Sequence, residues 1–304
     1  MYPRLQYVNH IASIFEKYNP PIFHQQIRLQ LHEHYAPLIN ELDIDYVKRS
    51  VQIGGKKKDL ETTQEFHGYV FRVNMEKTKD DIYINVLTHH KGDTTSCANI
   101  TINKHMKLAY INNVSYYPGC AYPVQPGLPE NPTGSIILKF TLSLLKNNKT
   151  SFGINRIVLK DNSLKRCHNC PNKVRLSNMY FLLYGDTWYG QYGFRPFDMA
   201  DYKPDEDQIA EYIKTQKTIR KTLVKDVSLL KYIIDGSKKV GLKVDIKGIT
   251  KFVNESKNVK LSELLVNLMS DYDKNCCLFE YMQTKIWNEL RLYPFHGSSF
   301  YLDI

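Results

Sequence analysis

From His67 to Pro118 the sequence carries short runs in which apolar residues recur at every second position, and at Gly134 that period gives way to a helical one. This switch is the feature that most limits the fold, because strands and helices must then share one core. Tyr69-Val70-Phe71-Arg72-Val73 and Ile82-Tyr83-Ile84-Asn85-Val86 are β-branched and aromatic runs broken by polar residues. Ile100-Thr101-Ile102 and Leu108-Ala109-Tyr110-Ile111 repeat the signal around the polar turn Asn103-Lys104-His105. Four short strands joined by tight polar turns predict an antiparallel meander.

The next segment, Pro118 to Pro132, holds five prolines and two glycines and is read as a turn-rich loop. Gly134-Ser135-Ile136-Ile137-Leu138 then opens an apolar helix running to about Lys146, and Ile154 to Leu159 is a buried strand. Ser177 to Gly193 is expected to be a helix broken or kinked at Gly185. Beyond Pro204 the texture becomes all-helical, starting at Asp205-Glu206-Asp207, where acidic groups complement a helix dipole. Ile209, Ile213, Leu229, Ile233, Leu261, Leu264, Leu265 and Leu268 keep helical spacing, and a last helix carries Phe279, Met282, Ile286 and Leu290. Two helices are expected before the sheet: Leu5, Val8, Ile11, Ala12, Phe15 and Tyr18 share a face, and Ile22, Phe23, Ile27 and Leu31 follow the stop at Asn19-Pro20-Pro21. Gly54-Gly55-Lys56-Lys57-Lys58 is expected to be a flexible turn. The boundary at Pro204 divides the chain into residues 1–203 and a helical domain over 204–304.

A meander, a glycine at a helix start, a buried strand and a second helix lead into Trp188-Tyr189-Gly190-Gln191-Tyr192-Gly193-Phe194. This order resembles the GNAT superfamily of acetyl-CoA-dependent N-acetyltransferases, over roughly Tyr69 to Phe197. In that family the strands lead into a phosphate loop and helix, then into a strand and a helix ending in a motif like Tyr-x-x-x-Gly-Phe. The resemblance implies an α/β (α+β) fold: a mixed, mostly antiparallel sheet flanked by helices, with the C-terminal helical domain appended. It implies acetyl-CoA as cofactor, with Thr133, Gly134 and Ser135 cradling the pyrophosphate. Tyr189 is then the acid that protonates the thiolate leaving group, and an amine of unassigned identity is the acceptor. The phosphate loop reads Glu130-Asn131-Pro132-Thr133-Gly134-Ser135, with one glycine and a proline where the family has Gln/Arg-x-x-Gly-x-Gly/Ala. That departure keeps open a second reading, a non-catalytic acetyltransferase-like scaffold such as a viral structural or assembly protein.

A hydrophobic fraction of 42% with 24% charged residues excludes wholesale disorder. No apolar run is long enough to span a bilayer, and MYPRLQYVNH lacks the pattern of a secretion signal, so no membrane partner is expected. The expected location is intracellular: cytoplasmic or nuclear, or host cytoplasm or virion for a viral protein. With 22 Tyr against two Trp, the composition fits an A- and T-rich coding sequence, as in many large DNA viruses and some parasites. The net charge of +10 favours anionic partners. Lys203 to Lys260 holds 14 Lys and Arg against eight Asp and Glu, which leaves nucleic-acid binding as a third reading. No oligomeric state is implied. The six cysteines are expected to be free thiols, because the chain is long and carries no signal. Cys167-His168-Asn169-Cys170 is a CxxC whose candidate mates are the adjacent Cys276-Cys277 and the remote His89-His90, so no metal site is expected.

Overall fold

The computed structural model describes residues 49–50, 60–89, 95–115, 117, 119–129 and 133–304. The two expected N-terminal helices, the Gly54-Gly55 turn and Glu130-Asn131-Pro132 lie outside the described residues. The chain divides into two compact units. A sheet unit takes the described residues up to Lys160 together with Phe197–Pro204 and Ser299–Ile304, and a helical unit takes Asp161–Pro196 and Asp205–Ser298.

In the sheet unit β1 (Arg49–Ser50), β2 (Leu60–Phe66), β3 (Tyr69–Lys77), β4 (Asp81–Leu87), β5 (Ser96–Asn103) and β6 (Leu108–Val114) pair antiparallel in sequence order. The short β7 (Tyr122–Pro123) adds to β3. Every second residue faces inward: Tyr69, Phe71 and Val73 on β3, Ile82, Ile84 and Val86 on β4, Ile100 and Ile102 on β5 are all buried. His67 and Gly68 close the β2–β3 hairpin with φ of 48° and 74°, the left-handed pair that matches strand twist. The expected helix is α1 (Gly134–Asn147), whose Ile137, Leu138, Phe140, Thr141, Leu142, Leu144 and Leu145 are buried. The Phe140 ring lies flat on Phe71, centroids 4.0 Å apart and planes 4° apart. After α2 (Lys149–Phe152), β8 (Arg156–Lys160) pairs parallel with β6.

The helical unit begins with a two-stranded hairpin, β9 (Leu164–Arg166) and β10 (Lys173–Arg175). Helix α3 (Leu176–Tyr184) stops at Gly185, φ 70°, so the helical stretch expected over 177–193 is broken at that glycine. Residues Gly190–Tyr192 form a separate 3-10 turn closed by Gly193 at φ 91°. Beyond it come α4 (Glu206–Lys221), α5 (Leu229–Val240), α6 (Ile246–Glu255), α7 (Leu261–Leu268) and α8 (Tyr272–Glu289). Asp205 caps α4 by accepting from the Gln208 amide, as the acidic start predicts. An aromatic cluster fills the centre: Phe181 sits 5.0 Å from Tyr212 and 5.2 Å from Phe295 between ring centroids.

The sheet is finished by late strands. β11 (Arg195–Asp198) pairs with β12 (Lys203–Pro204), and β13 (Ser299–Asp303) lies between β8 and β11. The all-helical expectation beyond Pro204 therefore fails over the last residues, which return as an interior strand. The whole is a mixed α+β fold with a largely antiparallel sheet, and no helix among the described residues is long and apolar enough to cross a membrane.

The expectation of free thiols is overturned. All six cysteines are bonded, as Cys97–Cys120, Cys167–Cys276 and Cys170–Cys277. The last two pairs are 109 and 107 residues apart, so tertiary folding makes the pairing and no local spacing announces it.

Candidate functional site

Strand β6, helix α1 and strand β8 make one parallel strand–helix–strand unit, and such units bind ligands where their strands end. Partners run from Leu108↔Arg156 to Ile111↔Leu159 and stop there, although β6 continues to Val114. The cause is a bulge: Asn99 pairs with Asn113 and Ile100 with Ile111, which leaves Asn112 as the extra residue on β6. A bulge bends its strand and sharpens its twist, so β6 leaves β8 at this point. Among the described residues, no strand lies beside the β8-facing edge of Asn112, Asn113 and Val114. An extended ligand carrying amides can add along such an edge.

The head of α1 lies at the same end. Phe71, on which Phe140 of the second helical turn stacks, neighbours Arg72, and the register Arg72↔Leu87↔Ser96 lies beyond Ala98↔Val114, where β6 finishes. Thr133 is extended at ψ 161°, its side chain makes no capping bond, and the first turn has no acidic residue. The Thr133 carbonyl accepts from the amides of Ile136 and Ile137, which leaves those of Gly134 and Ser135 outside the helical bonding. Free amides and the positive helix end together suit an anion. Gly134 has an ordinary helical φ, so its conformation does not require glycine. Cys97–Cys120 ties the loop before α1 to β5 at this mouth.

Tyr189 belongs to the helical unit, and Thr133, Gly134 and Ser135 to the sheet unit. The tyrosine opens the 3-10 turn and is 6% exposed, with its ring 4.8 Å from Trp188 between centroids. Burial pushes its pKa up, and the charges of Asp161 and Tyr192 push the same way, so the hydroxyl stays protonated near neutrality. The turn is held from below. Tyr212 and Thr187 both hydrogen-bond to Asp186, the Gly190 amide donates to Thr187 Oγ1 at 2.8 Å, and Arg195 donates to the Phe194 carbonyl at 2.7 Å. A side chain on Gly190 would collide with Asp186 and Tyr212.

Sequence reasoning missed Asp161. It is fully buried, its Oδ1 accepts from the Ser163 amide and hydroxyl, and its Oδ2 has no partner among the described residues. Burial raises its pKa to about 6 against the opposing Ser163 hydrogen bonds. Its buried surroundings come from the fold, and a lone Asp after a strand carries no sign of them. His105, near the start of β6, is exposed and bonded to Asp80 at 3.0 Å, a surface role. No family model, curated protein or solved structure matches the chain.

Proposed function

We propose that the chain is an N-acetyltransferase of the GNAT type, using acetyl-CoA to acetylate an amine. The observation that carries this reading is the opening of the β6–β8 parallel pair beside the uncapped head of α1. Acetyl-CoA, when bound, supplies a thioester open to attack by an amine.

The residues present fit that cofactor. The amides of Gly134 and Ser135 would hold its pyrophosphate, and the free β6 edge at Asn112–Val114 offers backbone groups to its amide-bearing arm. The hydroxyl of Tyr189, kept protonated by burial, is the candidate proton donor to the departing thiolate. The amine attacks directly, since every cysteine is bonded and none is offered as a nucleophile.

Coenzyme A release, followed over a panel of primary amines, tests the assignment. Tyr189→Phe should lower turnover by about 10²-fold or more with little change in acetyl-CoA affinity, because it removes only the donor. Gly134→Val should abolish cofactor binding with the circular dichroism unchanged. Normal turnover by Tyr189→Phe removes that tyrosine from the chemistry. No turnover by the parent protein with any amine favours the scaffold reading, and salt-dependent binding to DNA or RNA favours the nucleic-acid reading.

A further inference from the structure

Four of the six cysteines meet at one place in the helical unit. Cys167 and Cys170 stand at the tip of the β9–β10 hairpin, and Cys276 and Cys277 in the second turn of α8. The Sγ atoms of Cys167, Cys170 and Cys277 all lie within 4.8 Å of one another, and Cys276 is bonded to Cys167. Adjacent residues on a helix diverge by about 100°. The hairpin reaches over both of them, so each helix cysteine meets a different hairpin cysteine.

The hairpin has almost no other core. Its strands have three residues each, and of those six only Val174 is buried. Two-stranded hairpins of this kind are at best marginal alone. Its remaining polar ties to α8 are exposed, apart from a half-buried one between Asn172 and Glu280. They are Lys165 Nζ 3.5 Å from the Tyr272 ring centroid, the Tyr272 hydroxyl donating to the Arg166 carbonyl at 3.4 Å, Asn172 Nδ2 donating to Glu280 at 2.9 Å, Asn169 Nδ2 donating to the Asp273 carbonyl at 3.0 Å, and His168 3.6 Å from Asp273. Exposed contacts of this type contribute a fraction of a kcal/mol each, on the order of 0–1. The cysteines are therefore what fixes the hairpin.

We propose that these four cysteines form a structural zinc site when reduced, and that the two disulfides are the oxidised state of the same cross-link. Tetrahedral zinc–thiolate bonds of about 2.3 Å put the sulfurs roughly 3.8 Å apart. That spacing falls inside the 4.8 Å spread of the three sulfurs. Cys167, Cys276 and Cys277 are buried, so the site excludes water on most sides, as closed structural sites do. A CxxC on a tight hairpin supplies two ligands in one geometry, and the helix pair supplies the other two. Conversion balances simply: each disulfide takes two electrons and two protons from a dithiol reductant, which leaves as its own disulfide. Zn²⁺ then displaces the thiol protons and takes the four thiolates.

The test is elemental analysis and thiol counting on the full chain purified under reducing conditions, followed by Co²⁺ substitution. The expected result is equimolar zinc, four thiols shielded from alkylation until a chelator is added, and the intense visible bands of tetrahedral cobalt thiolate. Cys170→Ser/Cys277→Ser should lose the metal, and Cys97→Ser/Cys120→Ser should keep it. A reduced chain that unfolds without metal and refolds with Zn²⁺ also supports the site. A reduced chain that takes up no zinc, folded or not, overturns it, as does protein isolated under reducing conditions with both disulfides intact and no metal.

Discussion

At the scale of single residues, Asp161 and Gly190 give the sharpest expectations. Burial raises the Asp161 pKa from 3.8 to about 6, so the native state holds its proton where the unfolded chain has lost it. Stability through this group is full below about pH 4 and falls as pH rises to about 6. A shift of about two units corresponds to at most about 3 kcal/mol. Denaturant unfolding of Asp161→Asn against the parent protein should show the parent losing ground between those pH values, with the variant flat by comparison. Equal pH dependence in the two would mean the carboxyl is solvated in solution. Gly190→Ala drives a methyl into Asp186 and the Tyr212 hydroxyl. Overpacking of this kind costs about 1–3 kcal/mol, read as a lowered unfolding midpoint.

At the scale of elements, β13 carries the clearest consequence. It is hydrogen-bonded to β8 from Ser299↔Lys160 to Asp303↔Arg156 and has β11 on its other side. Deleting residues 299–304 removes an interior strand together with buried Phe300, and should yield aggregated protein where an edge strand would be dispensable. Soluble, cooperatively folding protein after that deletion would contradict the topology. These elements also show what a sequence displays. Strands β3, β4 and β5 were legible because Phe71, Val73, Ile82, Ile84, Ile100 and Ile102 alternate with polar residues against a buried face. β2 was not, since Glu61-Thr62-Thr63-Gln64-Glu65 alternates only between exposed and half-buried and shows no apolar period. Phe300-Tyr301-Leu302 was missed because three apolar residues suit a helix end as well as a strand. The head of α1 was legible from Thr133-Gly134-Ser135, yet the bulge at Asn112 that opens the neighbouring edge leaves no mark in Leu108 to Val114.

At the scale of the whole molecule, the chain's order of elements differs from the order of its units. The sheet unit is assembled from three stretches of chain, with the helical unit inserted between its strands. Patterns of period two and period 3.6 report each element, and long-range pairings such as Cys167–Cys276 report how they are joined, which no local pattern contains. Under the proposed function, the β6–β8 opening and the head of α1 bind acetyl-CoA. Calorimetric titration of acetyl-CoA into the full chain, repeated with Gly134→Val, tests it most directly. Equimolar binding in the micromolar range, abolished by Gly134→Val, is expected. No binding at millimolar acetyl-CoA, or equal binding by the variant, would contradict it.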